Sequence, residues 1–357
     1  TSCWSRRTHS CRTLSTAIPN TELTLVIQTN RQFENGYRLE VCLSPMRRAA
    51  TAAIAALALG SIQACSRSPQ ADVIAADGAL CDITRRLAAS DLQVSCLLGA
   101  SDDPHQLQLT PQQTRQLRQA ALVLINGYAL TPALQDLPHA VKVAERAVPN
   151  SPRLDADHPG EASDQHHHQH ADRDPHVWHD PRQATALTNL VSQHLQAVAP
   201  QAASRIEARA AAMRRSLAAL HRWNQLQFST VPQPPILASS HRAFASLARA
   251  YQLQELPLID ASSSSETLRP NALTQVITKL RGERVRTLFA EQQPAGRSLE
   301  RISALSGIPI AKQPLRADAG GNNLMTTLTT NTCLIVNGLG GRCDQSGAQT
   351  LIKGWDA

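Results

Sequence analysis

A chain of 357 residues is long enough for two ordinary domains, and its 42% hydrophobic content suffices for a sizeable core. Aromatic residues make up only 3%, which argues against nucleic-acid binding by base stacking. The formal charge of +7 is uneven: residues 1–64 hold seven Arg and three Glu, a net +4, leaving +3 for residues 65–357, so the basic total does not signal a nucleic-acid partner.

Residues 1–45 are polar, rich in Thr, Ser and Arg, and lack sustained periodicity. They are expected to be an upstream translation extension, disordered or absent in the cell. Residues 46–64 read as a signal peptide. Met46-Arg47-Arg48 is a short cationic start, and residues 49–60 (AATAAIAALALG) form an apolar run too short to span a bilayer. Ala64-Cys65 directly afterwards resembles the end of a lipoprotein signal, with Cys65 taking the lipid; plain secretion after Ala64 is the alternative.

The body then alternates strands and helices. Residues 72–76 and 93–98 are strand-like, with an apolar-spaced helix over 80–89 between them. Thr110-Pro111 opens another helix, Thr capping it and Pro taking its first position. Residues 120–125 (AALVLI) form a buried-strand run. Residues 151–175 hold Pro, Asp, Gly and Ser without apolar period and read as a long loop. Helices follow over 183–198 and over 202–228, the second forming a rod of roughly 40 Å. Strands at 235–238, 256–259, 285–290 and 308–311 then interleave with helices at 242–251, 271–280, 297–306 and about 322–334. The expected fold is α/β: two lobes, each a mainly parallel sheet flanked by helices, joined by one long rigid helix. The N-terminal lobe covers 65–200, the linking helix 201–228 and the C-terminal lobe 229–357.

Apart from Cys65 and the three cysteines before residue 46, four remain: Cys81, Cys96, Cys333 and Cys343. In an exported protein an even set favours disulfides, and of three connectivities the sequence-local one, Cys81–Cys96 and Cys333–Cys343, is expected; free buried thiols are the alternative.

Seven of the 13 histidines lie between His158 and His179. His158, His166, His167, His168 and His170, interleaved with Asp residues, form a loop cluster that can capture metal loosely but has no fixed geometry. His105, His176 and His241 differ, because each stands alone at an element end. His105 and His241 follow strands of different lobes, where doubly wound sheets bind ligands. Taken singly, each of these would be a core or capping residue; together they point to metal held between the lobes.

These residues resemble the metal-specific substrate-binding proteins of ABC importers, the zinc/manganese cluster. Residues 99–111 (GASDDPHQLQLTP) resemble that family's first ligand motif and residues 174–181 (DPHVWHDP) its second. Residues 240–251 (SHRAFASLARAY) resemble the third, and residues 120–128 (AALVLINGY) and 289–293 (FAEQQ) two further segments. The resemblance covers roughly residues 70–340. It implies metal ligation by His105, His176 and His241. A His at the third position marks the zinc branch, as does the His-rich loop, and a third imidazole suits Zn²⁺ where carboxylate and water suit Mn²⁺. It further implies Asp318 or water as fourth ligand, with Glu291 orienting His241 or another ligand by a hydrogen bond.

The implied action is Zn²⁺ capture outside the inner membrane and delivery to the permease of an ABC importer, without bond-making chemistry. The chain would be a monomer, touching the membrane only through its lipid. Metal would draw the lobes together, and affinity would fall below about pH 6.5 as imidazoles protonate. A manganese binder of the same family and a metal-binding adhesin lipoprotein are the alternatives. A zinc hydrolase is disfavoured because neither HExxH nor a nucleophile elbow is present.

Overall fold

The computed structural model describes the backbone of Arg12–Ser15 and Thr24–Ile27, and residues 72–99, 102–154, 173–259, 270–318 and 323–357. The chain forms two compact units, Thr1–Ser68 and Pro69–Ala357. In the first, β1 (Arg12–Ser15) and β2 (Thr24–Ile27) pair antiparallel, Arg12 opposite Ile27. These two strands are the described part of the segment 1–45, and Thr-Leu-Val-Ile is a run of strand-favouring residues. The signal segment 46–64, Cys65 and the loop histidines His158, His166, His167, His168 and His170 lie outside the described residues.

The second unit holds two parallel sheets. In the first, β3 (Val73–Ala75), β4 (Val94–Cys96), β5 (Leu122–Ile125) and β6 (Ala140–Lys142) run in the order β4-β3-β5-β6. The two central strands are buried at every position, which is why they read as unbroken apolar runs. Edge strand β6 buries only Val141 and leaves no such run. Helix α1 (Gly78–Ala88) is capped by the Asp77 carboxylate, which accepts from Leu80 N–H. Helix α2 (Pro111–Gln119) starts in a reciprocal capping box between Thr110 and Gln113. A short α3 (Val143–Ala147) follows β6.

The second sheet has β7 (Ile236–Ser239), β8 (Gln254–Pro257) and β9 (Leu288–Phe289) in the order β8-β7-β9, and Ile310 adds a parallel bridge to Leu288. Strand β8 begins two residues before the expected 256–259. The N–H groups of Leu258 and Ile259 still donate to the carbonyls of Ser239 and Ser240, so the apolar run extends the pairing past Pro257. Helices α6 (Ala245–Tyr251), α7 (Pro270–Gly282) and α8 (Arg297–Ser306) flank this sheet.

Between the sheets come α4 (Pro181–Val198) and the long α5 (Ala203–Phe228). At 1.5 Å per residue, the 26 residues of α5 span roughly 39 Å. Its buried stripe, Ile206, Ala210, Met213, Leu217 and Leu220, packs into the core of the first sheet, while Phe228 belongs to a core of the second. Helix α9 (Leu324–Gly338) makes the same passage: Leu324, Met325 and Leu328 join the first core, Ile335 and Val336 the second. Two helices therefore run between the cores, where the sequence pointed to one.

Residues 229–357 were expected to form one C-terminal lobe, and the last helix departs from that. Helix α10 (Gln345–Asp356) buries Trp355 in the first core. Trp355 Nε1 donates to Asp82 at 2.9 Å, and Arg86 donates to the Trp355 carbonyl at 2.6 Å. Two disulfides, Cys81–Cys96 and Cys333–Cys343, tie α1 to β4 and α9 to the segment before α10; their Cα separations are 5.6 and 5.1 Å.

Candidate metal centre

Three loops at strand or helix ends bring His105, His176 and His241 together. His105 lies in a 3₁₀ turn, Pro104–Gln106, beyond β4, and the Asp103 carboxylate fixes that turn by accepting from His105 N–H at 2.9 Å. His176 opens the turn Val177–His179 ahead of α4. His241 stands two residues past the end of β7. The ring centroids of His105 and His176 are 5.5 Å apart, those of His176 and His241 5.7 Å, and those of His105 and His241 6.1 Å. One ligand atom from each ring lies within 4.8 Å of the others. His176 and His241 are buried, at 1% and 4% exposure.

Asp318 reaches the same point. Its Oδ1 lies 3.3 Å from His176 Nε2 and 3.8 Å from His105 Nε2. Among the described residues, the Nε2 atoms of all three histidines and Asp318 Oδ1 are buried without a hydrogen bond of good geometry. Leaving that many polar atoms unsatisfied is costly unless something binds them. Three imidazole nitrogens and a carboxylate oxygen converging in this way form a donor set for a divalent cation.

Two carboxylates stand behind the rings. Asp174, fully buried, accepts from His176 N–H at 2.9 Å and lies 3.3 Å from His176 Nδ1. Its second oxygen accepts from Ser246 N–H at 2.9 Å and Ser246 Oγ at 2.6 Å, at the start of α6. Glu291, just past β9, accepts from His241 N–H at 3.1 Å and its other oxygen touches His241 Nδ1. Sequence reasoning singled out Glu291 but gave Asp174 no role, although an Asp two residues before a His in a Pro-containing turn is a common local acceptor.

The electrostatics differ from ring to ring. Burial pushes His241 down to about 3, and the neighbouring His176 pushes it the same way. Burial likewise lowers His105. Burial also disfavours charge on His176, but hydrogen bonds and charge from Asp174 and Asp318 outweigh it and raise that ring to about 9. His179, three residues on, is buried and pushed down to about 4, and its Nε2 contacts the Ala317 carbonyl at 2.8 Å.

Two parallel sheets backed by helices, bridged by a long helix, with an imidazole cluster on loops that follow both sheets, make a two-sheet α/β fold with a metal-type donor set. Residues 73–338 match the family model of ZnuA, zinc-uptake complex component A, periplasmic, and the chain belongs to that family. It is thus a metal-binding substrate-binding protein of ABC importers, a transport component and not an enzyme. Among its relatives is the metal ABC transporter substrate-binding lipoprotein SloC of Streptococcus mutans, 22% identical over 82% of this chain and 99% of that protein. Another is the manganese-binding lipoprotein MntA of Bacillus subtilis, 24% identical over 66% of this chain and 76% of that one. Among solved structures, the periplasmic zinc-binding protein TroA of Treponema pallidum matches with a TM-score of 0.65 at 22% identity, covering 76% of this chain and 99% of that chain. The Fe(III)-bound YtgA of Chlamydia trachomatis matches with a TM-score of 0.67 at 21% identity, covering 76% and 99%. These relatives are named for different metals, so their likeness does not select one.

Proposed function

We propose that this protein captures Zn²⁺ outside the inner membrane and hands it to the permease of an ABC importer. The cargo ion would be held by His105, His176 and His241, with Asp318 as fourth ligand. The observation that carries this reading is the convergence of three imidazoles, two of them buried, with their Nε2 atoms unsatisfied. Zn²⁺ takes four N, S or O ligands in tetrahedral geometry, and a set with three imidazoles and one carboxylate suits it better than Mn²⁺, which favours oxygen. Glu291 and Asp174 orient His241 and His176 respectively, as carboxylates behind metal-bound histidines do. The lipoprotein names of several relatives support anchoring through Cys65 after removal of residues 46–64. The loop histidines His158, His166, His167, His168 and His170 would hold additional ions.

Titration of residues 66–357 with Zn²⁺ and Mn²⁺, beside a His241→Glu variant, tests the reading. The unmodified protein should prefer Zn²⁺, and the variant should move toward Mn²⁺. Equal or greater affinity of the unmodified protein for Mn²⁺ contradicts the zinc assignment.

A further inference from the structure

The segment that carries Asp318 is anchored residue by residue. Leu315 N–H donates to the Ala290 carbonyl at 2.8 Å, next to Glu291. Arg316 is gripped on both sides by Asn331 of α9, whose Oδ1 accepts from Arg316 N–H at 2.9 Å and whose Nδ2 donates to the Arg316 carbonyl at 2.8 Å. Ala317, adjacent to Asp318, is held by His179 Nε2 at 2.8 Å from its carbonyl oxygen. A carbonyl only accepts, so Nε2 carries the proton in this contact.

These anchors come from different places. Ala290 and Asn331 belong to the second half of the chain. His179 belongs to the same turn as His176, so it is the anchor that ties Asp318 to a ligand-bearing segment of the first half. Its ring is fully buried, with centroids 5.7 Å from Trp178 and 4.8 Å from Phe244, which leaves it little freedom to swing. In the sequence, His179 is the second histidine of DPHVWHDP, and nothing there marks it for a role.

We propose that His179 is a positioning residue for metal binding: its Nε2–H bond to Ala317 sets the Asp318 carboxylate at the distance from His176 that ligation needs. This rests on the reading of Asp318 as a ligand. His179 is not one of the clustered ligand residues; its Nε2 contact runs to the backbone oxygen of Ala317.

A double-mutant cycle tests it, read as Zn²⁺ affinity by chelator competition on the folded chain. His179→Phe keeps an aromatic ring against Phe244 and removes the donor; His179→Gln retains a donor. His179→Phe should weaken Zn²⁺ binding by about 10–100-fold, the usual effect of losing an orienting partner, and His179→Gln should restore most of it. In an Asp318→Ala background, His179→Phe should cost nothing further, since the ligand it positions is gone. Equal losses in both backgrounds, or no loss in either, overturn the positioning role while leaving the metal site intact. Zn²⁺ affinity unchanged by Asp318→Ala alone removes Asp318 from the ligand set, and this proposal with it. Should the Phe variant fail to fold, His179→Leu reads the same cycle.

Discussion

His176 and His241 are both buried rings, each backed by a carboxylate, yet they hold protons in opposite ways. His176 is raised to about 9 and His241 is lowered to about 3. The cause is the company of each ring. His176 meets two carboxylates, Asp174 and Asp318, and Ser246 helps keep Asp174 ionised by donating twice to it. For His241, burial dominates, and His176 nearby adds to the effect. These opposite directions predict that in the metal-free site the proton rests on His176 while His105 and His241 stay neutral, and that a binding cation displaces it. This alters the simple expectation of a loss of affinity only below about pH 6.5, because the proton that competes hardest belongs to the ring raised to about 9.

The largest effect should come from removing a ring. His176→Ala and His241→Ala each delete a ligand and leave the opposite carboxylate buried, so chelator competition should show Zn²⁺ binding reduced by on the order of a thousandfold or more, well beyond the 10–100-fold typical of orienting partners. If either variant binds like the unmodified protein, that ring is not a ligand. Smaller losses should follow from the carboxylates. Asp174→Asn and Glu291→Gln should each weaken binding about 10–100-fold. Asp174→Asn should stand at the upper end because Asp174 also grips Ser246 in the neighbouring half; a larger loss from Glu291→Gln would reverse the comparison.

The pH dependence is the next distinction. Between pH 7 and about 9, one proton leaves His176 on binding, so Zn²⁺ affinity should rise up to about tenfold per pH unit. Calorimetry at pH 7.5 in two buffers of different ionisation enthalpy should count close to one proton released. A count of zero contradicts the imidazolium. The metal-free fold should show the same asymmetry. His176, raised when folded, stabilises fully below its unfolded value near 6.5, and that contribution is lost as pH rises through about 9. His105, His179 and His241, lowered when folded, act in reverse: the unfolded chain takes up their protons below about 6.5, and stability falls as pH drops toward the folded values. Melting temperatures of the metal-free protein should thus decline on acidification from pH 6.5 to 5, and a flat profile counts against buried neutral rings.

The smallest effect on binding should come from the disulfides. Cys81→Ser with Cys96→Ser opens a 15-residue separation and should cost about 3 kcal/mol of stability by the chain-entropy estimate, read by denaturant unfolding. Zn²⁺ affinity should change far less than in the carboxylate variants, because neither cysteine touches the ligand cluster.

Much of this molecule could be read in its sequence for identifiable reasons. Thr110-Pro111 announced α2 because capping is a local affair, and the buried strands β3 and β5 are continuous apolar runs. Three histidines at element ends pointed to one crevice because strand ends face it. What escaped depends on partners distant in the chain. Edge strand β6 has no apolar run, and α10 buries only Ala348 and Trp355, so neither shows a period. Asp174 and His179 are short-range features of one motif, but their contacts with Ser246 and Ala317 exist only once the halves meet.

X-ray absorption at the zinc edge of the protein loaded with one equivalent of Zn²⁺ tests the coordination most directly. The account predicts a four-coordinate shell of three imidazole nitrogens and one oxygen near 2.0–2.2 Å. A shell with sulfur, or with fewer than three imidazoles, contradicts it.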